Sequence, residues 1–237
     1  MKMELFNEYV WRILISCRPQ DSVSAISKRI GLSYGWTHKW VSELVKEGVF
    51  RKKGKGIELS EENAVYKRFL GFFSETAEKS VPLHYSVLRL LGLKYAFTET
   101  DAVFFWTKGG YNIARDRGHY PIFIKVRTDE LKLWKYYFKK TRLKQSTNVG
   151  AKGVFFVLRP CPDFEVVLVG DAPVAPLKET IEFMKKHEHN FSPALEMVSP
   201  RARISKYAEA RLQRNNKSND GSKNEFVPSE PRSYSVR

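Results

Sequence analysis

Apolar residues at Leu5, Phe6, Tyr9, Val10, Ile13, Leu14 and Cys17 recur at intervals of three and four. That spacing predicts a core-facing helix over residues 4–17, ended by Arg18-Pro19. Asp21 or Ser22 can cap a second short helix whose Val23, Ile26 and Ile30 face inward and whose Lys28 and Arg29 face outward. Gly31-Leu32 makes a turn. Ser33 can then cap a third helix from about Tyr34 to Lys46, stopped by Gly48. Val49-Phe50 opens a strand, Gly54-Lys55-Gly56 turns it, and Ile57-Glu58-Leu59 returns it. From Ser60 a further helical pattern runs through Val65, Phe69, Leu70, Phe72 and Phe73 to about Glu78, and Pro82 marks a boundary.

The order helix, helix, turn, helix, hairpin over SVSAISKRIGLSYGWTHKWVSELVKEGVFRKKGKGIELS resembles the winged helix-turn-helix domain of prokaryotic, especially archaeal, transcriptional regulators. The resemblance rests on the A-x-x-x-x-x-G-L-S turn, the E-L-V-K-E-G-V-F exit of the third helix and the basic hairpin. It implies that the third helix enters the major groove of double-stranded DNA with its N-terminal residues at base edges. At 100° per residue Thr37, Val41, Leu44 and Val45 share the core face, with Trp40 at its edge. The opposite side nominates Ser33, Tyr34, Trp36, His38, Lys39 and Ser42 as DNA contacts. Arg51, Lys52, Lys53 and Lys55 sit where a wing would meet phosphate, and Gly54 and Gly56 would permit the turn and close approach to the backbone. Taken alone, such a charge run is more often a solvated loop; its position after a capped, polar-faced helix favours the wing.

Residues 83–198 alternate differently and read as mixed α/β. Thr98, with Asp101 three residues on, can cap TDAVFFW as a helix. GGYNIARDRGH reads as a polar loop and YPIFIKVR as a strand. TDELKLWKYYFKK reads as an amphipathic helix, with Leu131, Trp134, Tyr137 and Phe138 opposite Lys132, Lys135 and Lys139. GVFFVLRP and FEVVLVG predict two strands joined as a hairpin across CPD, and PLKETIEFMKKH a last helix after a turn. The expected class is therefore α+β. An N-terminal winged helix occupies residues 1–60, a linker helix 61–80 and an α/β domain 81–198. A basic helix and disordered tail follow at 199–237, since the end of the chain is too polar to bury a core.

Charge sharpens the picture. The 237 residues carry a formal net charge of +15, which attracts polyanions. Within residues 28–55 eight cations face only Glu43 and Glu47. No run of 18 apolar residues crosses a membrane, and two distant cysteines, Cys17 and Cys161, suit a reducing cytoplasm better than a disulfide scaffold. Catalytic motifs fail in detail. Gly109-Gly110 is followed only by Asp116, without the second carboxylate that a two-metal nucleotidyltransferase needs. Pro162-Asp163 lacks the lysine of a nuclease motif after Glu165. His187 and His189, one residue apart near a helix end, suit a surface better than a metal. The expectation is a chain with no catalytic residues, metal or cofactor. The loop with Arg115, Arg117 and His119 is the one spot dense enough to bind a phosphate or an acidic partner, although a charged surface loop is the commoner case.

The element order over residues 95–106, 121–138 and 172–177 resembles the C-terminal region of AbiEi-type antitoxins. Those proteins repress their own operon and oppose a nucleotidyltransferase toxin. The resemblance implies a transcriptional autorepressor, homodimeric because one winged helix contacts few bases, with a toxin or other protein as partner. A nucleic-acid-processing enzyme, or a protein-binding factor that uses the same domain for docking, is the alternative.

Overall fold

The computed structural model describes residues 7–113, 115–116, 118–147 and 150–198 of the chain. Arg117 and the basic tail 199–237 lie outside the described residues. The fold is α+β. Helix α1 (Glu8–Ser16) is capped by Asn7, whose side chain accepts from the amides of Tyr9 and Val10. Helix α2 (Val23–Ile30) is capped by Ser22 rather than Asp21, and ends at Gly31 in the left-handed conformation. Helix α3 (Tyr34–Lys46) is capped by Ser33. Its exit forms a Schellman motif: the Val49 amide donates to Leu44 O at 2.8 Å and Gly48, at φ +70°, to Val45 O at 3.0 Å.

Strands β1 (Phe50–Lys53) and β2 (Gly56–Leu59) pair antiparallel with Lys53 opposite Gly56. Only two residues connect them, and Gly54 at φ +59° takes the first central position of the turn, the pattern of a II′ hairpin. The hairpin is fastened inward: Ile57 N donates to Asp21 O at 2.7 Å. A Cβ on Gly56 would stand 2.8 Å from that same carbonyl oxygen. The close approach that needs Gly56 is therefore to the chain's own backbone, and not to phosphate.

Helix α4 (Ala64–Lys79) is capped by Asn63, so the acidic pair Glu61-Glu62 precedes it. Helix α5 (Val81–Val87) follows at once, with Ser80 as the shared cap and Pro82 in its first turn. A 3₁₀ turn, Leu88–Leu91, leads to strand β3 (Tyr95–Phe97) and helix α6 (Glu99–Trp106). Strand β4 (His119–Arg127), helix α7 (Leu131–Thr141) and strand β5 (Gly153–Cys161) form a crossover that sets β5 parallel to β4. Strand β6 (Val167–Val169) and strand β7 (Ala172–Val174) make a hairpin, and helices α8 (Leu177–Lys186) and α9 (Glu188–Val198) close the described chain.

The larger sheet runs β5-β4-β3-β7-β6. β5 and β6 thus lie at opposite edges and are not the hairpin that their adjacency in sequence predicts. The reason is β7: the apolar Ala172–Val174 segment, read from sequence as a turn, pairs with both β6 and β3. Alternation splits β4 and β5 between two faces. Ile122, Ile124 and Phe156 join the main core, while Phe123, Phe155 and Val157 form a separate cluster. Helix α7 covers the main face, with the Phe138 and Phe156 rings stacked at 4.8 Å.

One continuous core joins the N-terminal helices to the sheet, from Val10 and Ile26 through Phe73 and Leu88 to Trp134 and Val174. The joint is polar as well as apolar. The buried Lys140 of α7 donates to the carbonyls of Ile15 at 2.8 Å and Cys17 at 2.6 Å, setting a cation on the carbonyl end of α1. Tyr137 donates to Ser16 O, and Arg18 donates to the Tyr137 hydroxyl and to Leu91 and Gly92 carbonyls.

Candidate nucleic-acid interface

Helix α3 divides as its periodicity requires. Thr37, Trp40, Val41 and Leu44 are buried, while Ser33, Tyr34, Gly35, Trp36, His38 and Lys39 are exposed and Ser42 is half-buried. Tyr34 is 57% and Trp36 50% exposed, unusually high for such large side chains. Neither is loose. Trp36 stacks on Tyr9 of α1 at 5.6 Å with an interplanar angle of 17°, and Tyr34 packs on His38 at 5.8 Å. Lys39 places Nζ 4.8 Å from the Trp36 ring centroid and 5.5 Å from that of Trp40. The outer face is thus a braced aromatic shelf with a cation held over it by ring quadrupoles. Trp36 has one face on the protein and the rest open, whereas Trp40 is core.

The Ser33 hydroxyl accepts from Trp36 N at 3.3 Å, which leaves its own proton to donate outward. Gly35 sits in the first turn with nothing within 4 Å of where a Cβ would be. No internal packing requires a glycine there, and the bare backbone leaves room for an outside group to come close.

The hairpin follows α3 directly, and β1 packs on that helix. Arg51, Lys52, Lys53 and Lys55 are all exposed, while Phe50 and Ile57 anchor the strands in the core. Lys53 pairs with Glu58 across the hairpin at 2.8 Å, with both side chains substantially in solvent. Such a pair is worth ~0–1 kcal/mol and yields readily to a phosphate. Arg51, Lys52 and Lys55 have no carboxylate partner among the described residues. Four cations therefore reach solvent from one short ribbon.

One cation of α2 behaves otherwise. Arg29, expected to point outward, is turned in: its side chain is 7% exposed and it grips Asp21 through two bonds, at 2.5 and 3.1 Å. It also donates to Ser16 O at 2.6 Å, and Gly92 packs directly on its side chain. Asp21 in turn accepts from Arg18 N. The knot ties the end of α1, α2 and the turn end of the hairpin together.

The second candidate site does not assemble. Arg115 is 2% exposed and its guanidinium donates to the fully buried Asp101 at 2.8 Å, so it is not offered to an outside phosphate. Asp101, expected to support the cap of α6, instead accepts from Arg115, the Tyr85 hydroxyl and Phe123 N, and Thr98 makes no side-chain cap bond. Burial pushes the Asp101 carboxyl up, and the adjacent Arg115 charge pulls it back down. The His119 ring nitrogen faces Ala151 O at 3.0 Å at the start of β4. Arg117 lies outside the described residues. His187 and His189 are exposed, and no group of three potential metal ligands occurs among the described residues. Among the described residues no helix is long and apolar enough to cross a membrane.

Comparison of the chain with family models, with curated proteins and with solved structures finds no match. Sequence reasoning missed Tyr9 as the brace beneath Trp36. Its place on the predicted inner stripe of α1 concealed that its ring reaches α3. It also missed the Asp21–Arg29 knot, whose only signal was an acidic residue eight positions before a basic one.

Proposed function

We propose that the protein is a sequence-specific, double-stranded DNA-binding transcriptional regulator. In it α1–α3 and the β1–β2 hairpin act together as a winged helix-turn-helix. The observation that carries this reading is a capped helix α3 with an exposed polar and aromatic face, followed directly by a hairpin whose four solvent-directed cations the fold leaves without strong internal partners. Hairpin cations would neutralise phosphates and release counterions, which gives affinity without sequence choice. Sequence choice would come from Ser33, Tyr34, Trp36, His38, Lys39 and Ser42. Helix α3 contains no Arg, Asn or Gln. It therefore lacks the amide partners for adenine and leaves Lys39 as its donor for guanine, while its aromatic shelf suits apolar contact with thymine methyl groups in the major groove.

The sheet and its helices would serve dimerisation and partner binding. In the antitoxin-like version the protein represses its own operon in the cytoplasm as a homodimer and opposes a toxin. The deciding experiment is a fluorescence-anisotropy titration of its own upstream DNA against a scrambled duplex at two salt concentrations. The expected result is a preference of ~10³-fold or more that survives the higher salt. Equal affinities that fall together with salt would reject a specific regulator. Replacing thymine by uracil in the preferred duplex should weaken binding if the shelf reads methyl groups.

A further inference from the structure

A cavity of about 450 Å³ opens between α5, the 3₁₀ turn after it, β3, α6 and β7. That size is ordinary for a small-molecule site, about 300–1,000 Å³. Its walls are aromatic and already packed: Tyr85 lies 5.1 Å from Phe97, and Phe97 4.9 Å from Phe105. The polar groups on its lining are mostly occupied within the protein. Tyr85 donates its hydroxyl proton to Asp101, and Ser86 donates to Leu83 O at 3.1 Å. Arg89 is different. It is exposed, its guanidinium donates to Asp171 O at 2.8 Å and acts on the Tyr95 hydroxyl, and no carboxylate lies in ion-pairing range of it among the described residues. A guanidinium has five donors in a fork that matches a carboxylate, so most of its capacity remains unused at the rim of an apolar hole.

We infer that this cavity binds a small aromatic carboxylate, with its ring among Phe97, Phe104 and Phe105 and its carboxylate on Arg89. Ligand occupancy has a route to the N-terminal helices. Arg89 belongs to the 3₁₀ turn, whose Leu88 and Leu91 are buried and which packs on α1 and α2. Arg18, just past α1, holds the carbonyls of Leu91 and Gly92 at 3.3 and 3.2 Å. A ligand gripped by Arg89 thus acts on the segment that seats α2, the neighbour of α3. This regulatory consequence rests on the DNA-binding reading, whereas the site itself does not.

The test is a ¹⁹F NMR titration of the full chain with 4-fluorophenylacetate, with 4-fluorophenethylamine as the cationic control. The acid should show saturable line broadening and the amine none. Arg89→Gln should weaken the acid about tenfold, since a charged hydrogen-bonding partner contributes ~1.5–3 kcal/mol and 1.4 kcal/mol is a factor of ten. Ser86→Trp, at an exposed position on the rim, should fill the opening and abolish binding while leaving the circular dichroism spectrum unchanged. Absence of saturable binding by the acid, or wild-type affinity in both variants, overturns the site. Repeating the DNA titration with the acid present should shift affinity about fivefold or more. An unchanged affinity overturns the regulatory role alone, and failure to bind any DNA overturns the proposed function while the NMR result still decides the site.

Discussion

The hairpin and the sheet differ in which cations they draw inward. Around α3 and the hairpin, Lys39, Arg51, Lys52 and Lys55 project into solvent with no carboxylate to hold them. Around the large sheet Lys132, Lys135 and Lys139 of α7 are likewise exposed, but four other cations turn to partners. Arg115 goes to Asp101, Arg159 to Glu99, Lys125 to Glu179, and Lys140 to the carbonyl end of α1. Counting charge along the chain cannot see this difference, because both halves are basic. Only the cations left over after folding are available to a polyanion; on the hairpin they are Arg51, Lys52 and Lys55, and in the sheet half they include Lys132, Lys135 and Lys139.

The largest expected effect lies on the internal side of that contrast. Asp101→Asn removes the charge that compensates Arg115 in a fully buried setting, and should cost ~3–5 kcal/mol in urea unfolding. A loss below ~0.5 kcal/mol would mean that Arg115 does not depend on Asp101 and that the contrast is overstated.

On the solvent side, joint replacement of Lys52, Lys53 and Lys55 by alanine should leave stability within ~0.5 kcal/mol, as surface changes do. The same variant should reduce DNA affinity by roughly a hundredfold at 0.1 M salt and flatten the salt slope by about three units. An unchanged slope would show that the ribbon does not touch phosphate, and would favour a protein-binding role for the same domain.

Gly35→Ala separates folding from binding at a single position. There is space for the new methyl group, and alanine is the better helix former, so stability should rise by ~0.5–1 kcal/mol. DNA affinity should nevertheless fall, because the methyl group stands on the approach surface. A rise in both quantities would remove α3 from the interface.

The smallest effect concerns His84. Its ring is buried beside Phe156 with Nδ1 3.1 Å from Ser80 O, and burial pushes its pKa below the usual value. The neutral form is favoured in the folded state, so the unfolded chain protonates first as pH falls through ~6.5. Its contribution should be complete above that pH and lost as pH drops toward the folded value. Urea midpoints between pH 7.5 and 5.5 should decline, and His84→Gln should flatten that decline. An identical slope in the variant would assign the pH dependence elsewhere.

Much of the candidate interface was legible in advance. The cap at Ser33, the exit at Gly48 and the inward set Thr37, Val41 and Leu44 all follow from residues within a few positions of one another, whereas the hairpin turn, read as Gly54-Lys55-Gly56, is one residue shorter because Gly56 pairs with Lys53. Local hydrogen-bond geometry and helical periodicity decide such features, and both are written in neighbouring side chains. The same reasoning went astray where a partner is distant. Arg29 was assigned outward because its helix position is polar, yet Asp21 and a backbone carbonyl from α1 draw it in. Arg115 looked available because its neighbours in sequence are polar, yet Asp101 waits beneath it. The β5–β6 hairpin was inferred from adjacency, while the pairing of β7 with both β6 and β3 sets the order of that edge of the sheet.

By itself the sequence determined where α2 and α3 begin and end, which face of α3 is apolar and where the basic ribbon lies. Tertiary structure alone decided which cations remain free, how Tyr9 braces Trp36, how the strands are ordered, and that α1 ends on a buried lysine of α7. The physical reason is range. Backbone caps and periodic faces are satisfied within a turn or two of chain. A buried charge or a strand edge is satisfied by whatever group the fold brings to it, and here those groups come from up to 125 residues away.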